Sequence, residues 1–343
     1  MSTRPTSLLL IALGLASALT VSGAVRASEI SLLALHTTEA SEHYGGAPEP
    51  RITHLVAVAN DVLARSGVDA SVRLLAIEAR ELGPVTDTPA TLDRITYARD
   101  AAVADIPVRR DALGADAVVL FGTYAGDGYC GAAWLGGRDV PARLSTTDAA
   151  HAYAYVALDC GSYTLIHELG HLLGLVHSRS ETPDGGTVPY AAGHGVAGRF
   201  VTVMAEPGAY DAPRLPYLSN PTLRACFGEP CGVDLEDPIA AAHAARAAAE
   251  TAPQLAAFRS PPRAAAGSGT AEPGSLMTQA TSTPPLPVSP AAPTPPPPSP
   301  RSPAPPAAGG GGGCAVGTAH DDPTLPFMLL TSLLWLLRRR LAI

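Results

Sequence analysis

Apolar and polar positions along this chain follow two rhythms. ISLLALH (30–36) is an unbroken apolar run and reads as a buried strand. PRITHLVAVANDVLARSG (50–67) carries apolar residues at 55, 56, 58, 62 and 63 and ends on a glycine, which predicts a helix. ASVRLLAIEA (70–79) alternates as a strand, 91–113 reads as mostly helical, and DAVVLFGTY (116–124) is a strand bounded by glycine. YCGAAWLG (129–136) is a short run between glycines that suits an edge strand, and AYAYVALD (152–159) leads directly into the stretch that follows. Strands separated by helices predict right-handed crossovers and a parallel sheet covered by helices, an α/β fold.

The next stretch, TLIHELGHLLGLVHS (164–178), has helical spacing and the apolarity of a core helix, yet it holds three histidines and a glutamate. Beyond it the rhythm fades. Residues 179–235 are rich in Gly, Pro, Asn and Asp. A last helix is expected from near Asp237 to Arg259, with Pro253 placed to disturb it. Globular character stops near residue 260.

Both ends of the chain differ from this middle. Arg4, the apolar run 7–18 and the small residues around Ala27 form the pattern of an export signal, with a transmembrane anchor as the alternative. Residues 261–308 are mostly Pro, Ala, Ser and Thr and cannot bury a core. In polyproline form that run extends at most about 150 Å at ~3.1 Å per residue. Five glycines and Cys314 follow, then LPFMLLTSLLWLL and Arg338, Arg339 and Arg340. That apolar segment spans only about 20 Å as a helix, short of a ~30 Å bilayer core. The expected organisation is an export signal at 1–27, a catalytic domain at 28–260, an unfolded stalk at 261–312 and a membrane-directed tail at 313–343.

Composition narrows the function. The net charge is −8, there is no lysine, and no basic patch precedes the final arginines, which excludes a nucleic-acid partner. Export would put the five cysteines in an oxidising compartment. Cys226 and Cys231 sit close together in a turn-rich loop, Cys130 and Cys160 are a second candidate pair, and Cys314 is left over. Five free thiols are the alternative.

The chemistry lies in 164–178. On a helix His167 and His171 share one face, one turn apart. Gly174 permits the positive φ that ends the helix and turns the chain, so His177 can return as a third ligand. Three neutral imidazoles leaving one position open suit a catalytic Zn2+. Glu168, beside the first ligand, is placed to act as general base on a water acidified by the metal. The competing reading is a core helix whose histidines are merely hydrogen-bonded.

The motif H-E-x-x-H-x-x-G-x-x-H resembles that of the metzincin zinc endopeptidases, which pair it with a methionine turn downstream. Here the turn falls on VTVMAEPG, and the resemblance implies that Met204 is a hydrophobic floor below the metal. YCGAAWLG, the zinc motif with LDCGSYT before it, GHG, YLSNP and TAPQLAAFR extend the resemblance over about 30–259 to bacterial secreted reprolysin-like peptidases, including those called peptidyl-Asp metalloendopeptidases. This implies an upper lobe with a twisted five-stranded mixed sheet and helices. The irregular lower lobe would end in a helix, and the zinc would lie in the cleft between the lobes. It also implies that 129–136 is an antiparallel edge strand whose Gly131, Ala132, Ala133 and Trp134 pair with an extended protein or peptide substrate. If that strand lies beside AYAYVALD, Cys130 and Cys160 come together. A structural Ca2+ is allowed but not indicated.

Two departures stand out. Some metzincins carry a tyrosine two residues after the methionine, where this chain has Glu206, and Tyr210 is too far on to replace it. No latency segment is expected between the signal and the first strand. His194 reads as structural or rim, and His36, His43, His54, His151 and His243 lack ligand spacing. The tail resembles sorting tails of the GlyGly-CTERM type, which intramembrane proteases cut; this implies processing near Cys314, between 309 and 325, with a plain anchor as the alternative. The expected protein is an exported zinc endopeptidase at the cell envelope or surface, or released from it. A surface-attached zinc-containing binding or adhesion protein without catalysis is the rival reading.

Overall fold

The computed structural model describes residues 27–259 and the strand 313–317. The upper part runs β1 (Ser28–Thr37), α1 (Thr38–His43), α2 (Glu49–Arg65), β2 (Ala70–Arg80), α3 (Thr88–Thr96), α4 (Ile106–Leu113), β3 (Ala117–Gly122), β4 (Tyr129–Trp134), α5 (Thr146–Ala150), β5 (Tyr153–Ala157) and α6 (Thr164–Leu172). Its five strands form a mixed sheet in the order β2-β1-β3-β5-β4, parallel except for β4, which is antiparallel to β5. Every residue of β3 and β5 is buried, which explains their unbroken apolar sequences: the sheet is covered on both faces.

Alternation along β1 separates the two cores. Leu32 and Ala34 pack with Ile52, Leu55, Ala59 and Val62 of α2 and with Leu165 and Leu169 of α6. Leu33 and Leu35 face the other way, toward Leu92 and Ile95 of α3 and Ile106 of α4. The helix expected over 91–113 is therefore two. Between them Asp100 accepts from the Ala102 N–H and pairs with Arg94, Ala98 takes a positive φ, and Pro107 starts α4 afresh.

The lower part contains β6 (Val176–Ser178), β7 (Ala192–Gly193), β8 (Gly195–Val196), β9 (Phe200–Val201), α7 (Pro207–Tyr210) and α8 (Ala244–Leu255). It is held by side-chain-to-backbone hydrogen bonds more than by sheet. Ser219 Oγ donates to Ala192 O, and Thr251 Oγ1 of α8 donates to Leu173 O at the end of α6. The last helix begins at Ala244 and not near Asp237. Asp237 instead accepts from the N–H groups of Ile239 and Ala240, and Ala242 bridges to Val233. Pro253 is accommodated in the final turn of α8.

Two disulfides are present. Cys130–Cys160 ties β4 to the loop before α6, and Cys226–Cys231 closes a tight loop against Phe200. One element was not expected: β10 (Gly313–Gly317) adds to the outer edge of β4, parallel to it, with Cys314 level with Gly131. Among the described residues no helix is long and apolar enough to cross a membrane. The export signal, the stalk and the apolar tail segment lie outside the described residues, apart from the residues at their borders.

Candidate active site

All nine residues of α6 are buried, including His167, Glu168 and His171. Arg51 of α2 fixes the loop that delivers this helix. Its guanidinium donates to Leu158 O, Cys160 O and Ser162 Oγ, while Tyr44 O–H also donates to Leu158 O. Sequence reasoning passed over Arg51, because its role appears only once two distant segments meet.

The helix stops as its glycine suggested. Gly174 has φ +81°; its N–H donates to His171 O and the Leu175 N–H donates to Gly170 O. These bonds close a Schellman turn, which reverses the chain into β6. A Cβ at Gly174 would also run into Thr187 and Gly136 O. His177 on β6 thereby returns to the two helix histidines, and one ring nitrogen from each of His167, His171 and His177 lies within 4.8 Å of the others.

The second ring nitrogens set the chemistry. His167 Nδ1 donates to Val203 O at 2.8 Å, and His171 Nδ1 donates to Leu175 O at 2.9 Å. With Nδ1 protonated, each Nε2 presents a lone pair. His171 Nε2 is buried without a hydrogen-bond partner, and the Nε2 atoms of His167 and His177 stand 3.2 Å apart. Lone pairs gathered in this way call for a cation among them, so the donor set fits a metal ion of the zinc type. Burial pushes the His167 and His171 imidazoles well below their ordinary range, His171 to about 3, with neighbouring imidazoles adding to the effect. Both rings are therefore neutral at pH 7, the form that binds metal.

Met204 packs against α6 at Gly170, between the two helix histidines in sequence. It is fully buried, and a Cβ at Gly170 would overlap its sulfur, so the glycine in the middle of α6 makes room for it. The same turn supplies the Val203 carbonyl that orients His167.

Above the helix lies β4. A Cβ at Gly131 would collide with the Glu168 carboxylate, which brings the edge strand directly over that side chain. Gly131 and Ala133 share the α6 side of the strand, whereas Trp134 donates from Nε1 to Thr96 Oγ1 of α3 at 2.8 Å. Cys314, by its backbone register, belongs to the strand next to Gly131. His194 stays outside the triad, its ring edge-on to Phe200 at 5.8 Å.

Sequence reasoning missed Glu206 and Arg214. Glu206 Oε1 reaches to 3.8 Å from His167 Nε2 and 4.0 Å from His177 Nε2, while Arg214 Nη2 donates to Glu206 Oε2 and Ala205 O. Burial pushes the Glu206 carboxyl up, and Arg214 opposes that shift. The available signal was the position two residues after Met204. Tyr210 is turned aside, its hydroxyl 2.9 Å from Ser180 Oγ.

A mixed sheet, a buried helix beneath its edge and three converging imidazoles define a site at the sheet edge that could hold one metal ion. Residues 30–236 match the model of Metallo-peptidase family M12B, Reprolysin-like, and the chain belongs to that family. It is 33% identical over 290 residues to a peptidyl-Asp metalloendopeptidase of Pseudomonas aeruginosa, covering 78% of this chain and 46% of that protein. A protein of the same name from Xanthomonas campestris pv. campestris is 30% identical, covering 57% of this chain and 44% of its own length. The chain thus spans about half the length of these curated relatives. A solved structure of a chaperone–substrate complex shares the fold, with a TM-score of 0.53 and 19% identity over 68% of this chain and 36% of that one.

Proposed function

We propose that this chain is an exported endopeptidase that uses one zinc ion to hydrolyse peptide bonds in proteins. The observation that carries the reading is the convergence of three imidazoles, two of them with an Nε2 lone pair fixed by an Nδ1–H bond to a backbone carbonyl, one residue away from the buried Glu168 carboxylate.

His167, His171 and His177 would hold the zinc. When bound, it supplies Lewis-acid polarisation and a water of lowered pKa. Glu168, pressed beneath Gly131, takes a proton from water as the oxygen attacks the peptide carbonyl carbon. It then gives that proton to the departing amine as the C–N bond breaks. Edge strand β4 would hold the extended substrate by backbone pairing, with Gly131 leaving room for Glu168. Cleavage beside aspartate is carried over from the name of the relatives.

The two disulfides support a place outside the cytoplasm. Export by residues 1–27, display on the 261–312 stalk and processing of the tail by an intramembrane protease complete the proposal. The buried Glu168 beside the triad favours catalysis over a binding protein that merely retains zinc. Hydrolysis of casein by the purified chain tests the reading. It should stop on treatment with a chelator and return with stoichiometric Zn2+. No hydrolysis by the zinc-loaded chain overturns it.

A further inference from the structure

We propose that Glu206 is a fourth, displaceable ligand of the metal centre, aimed at it by Arg214. The inference rests on the triad holding a metal, and it concerns a residue that the zinc motif does not contain.

Glu206 divides its two oxygens. Oε2 accepts from Arg214 Nη2 at 3.0 Å, and the same nitrogen donates to Ala205 O at 3.1 Å. Those bonds anchor the carboxylate to its own backbone turn. Oε1 is buried, has no hydrogen-bond partner and faces the triad. The nearby carboxylate of Glu181 is already engaged, accepting from the Ser178 N–H and hydroxyl and from the Glu206 N–H.

The partner of Oε1 follows from the histidine tautomers. His167 donates from Nδ1 to Val203 O, so its Nε2 is an acceptor and cannot donate to Glu206. The Glu206 oxygen, 3.8 Å from that lone pair, finds no donor there, and a cation between the two would satisfy both. Two donor atoms on one tetrahedral zinc, each ~2.0–2.2 Å from it, stand about 3.3–3.5 Å apart. The His167–His177 separation of 3.2 Å fits that geometry. Glu206 Oε1, at 3.8 and 4.0 Å, lies roughly half an ångström beyond it, which a small side-chain rotation closes.

Three imidazoles and a carboxylate fill the four positions of a closed site, whereas hydrolysis needs one of them open. Glu206 therefore competes with water and substrate for that position, and Arg214 sets the competition by holding its other oxygen.

Full-length chain stripped of metal and reloaded with Zn2+ or Co2+ tests this. Glu206→Gln keeps the side-chain shape and removes the charge. Competition against a chromophoric chelator should show Zn2+ affinity falling about 10–100-fold or more, the lower bound being that of an outer-sphere partner. The visible absorption of the Co2+ protein should shift in position and intensity. Arg214→Lys, which retains the cation but not the aim, should give smaller changes in the same direction and serves as the second probe should Glu206→Gln misfold. Wild-type affinity and an unmoved Co2+ spectrum in folded Glu206→Gln overturn the proposal, even if peptide hydrolysis changes. If the wild type binds metal as described but cleaves no peptide, the peptidase reading fails and the ligand assignment stands.

Discussion

His167 Nε2 and His177 Nε2 stand 3.2 Å apart although His167 belongs to α6 and His177 to a separate strand. Gly174 makes that meeting possible, by turning the chain between them. His177 is also the most exposed of the three histidines, its side chain 15% accessible, so the site opens on its side. Removing this imidazole leaves two fixed lone pairs. His177→Ala is expected to lose metal affinity by more than the ~10–100-fold typical of an outer-sphere change. Metal analysis after dialysis checks it; full retention of tight metal would place the third ligand elsewhere.

Gly131→Ala would put a methyl group into the Glu168 carboxylate. Overpacking of this kind costs about 1–3 kcal/mol in stability. The expected outcome is a lowered thermal midpoint and peptide hydrolysis reduced more than tenfold, by a general-base argument worth ~10²–10⁴, with metal content unchanged. Wild-type kinetics would mean that the strand does not press on Glu168.

The thiol count follows from the disulfides. Cys130–Cys160 and Cys226–Cys231 use four of the five cysteines. Thiol titration of oxidised, unfolded full-length chain should therefore find one reactive group, Cys314, and residues 28–259 should show none. The 30-residue separation of Cys130 and Cys160 makes that bridge worth about 3–4 kcal/mol by loop-closure entropy. Three or more free thiols in exported protein would contradict the pairing.

Much of this was legible before any coordinates. Strands β1, β2 and β3, the α6 helix and the turn at Gly174 follow from periodicity and one glycine, because core burial and a positive φ leave local marks; the five-stranded mixed sheet and the antiparallel place of β4 rested on the family resemblance. The break between α3 and α4 did not, since Asp100 and Ala98 disrupt a stretch whose apolar spacing still looks helical. Nor did the true start of α8, where Asp237 spends its side chain on a turn. Arg214 and Arg51 were invisible for a different reason: each acts on a segment distant in sequence or in an irregular loop, and no spacing encodes that, whereas Glu206 was marked only by its position two residues after Met204. The pairing of β10 with β4 likewise spans about half of the chain.

That pairing has a kinetic consequence. β10 occupies the edge of β4 on which an extended substrate would bind, and the window of 309–325 in which tail processing is proposed contains it. A chain ending at Arg259 should show a lower KM for an extended peptide than the full-length chain, with kcat little changed. Equal KM values would mean that β10 does not compete for the edge.

The central claim is that Glu168 moves the proton while the three histidines hold the metal. Glu168→Gln separates the two roles, since the amide keeps the shape but cannot accept the proton. Metal content and peptide hydrolysis measured on the same preparation test it most directly. The account predicts one zinc per chain with hydrolysis lowered about 10²–10⁴-fold. Full metal occupancy with activity within tenfold of the wild type would contradict it.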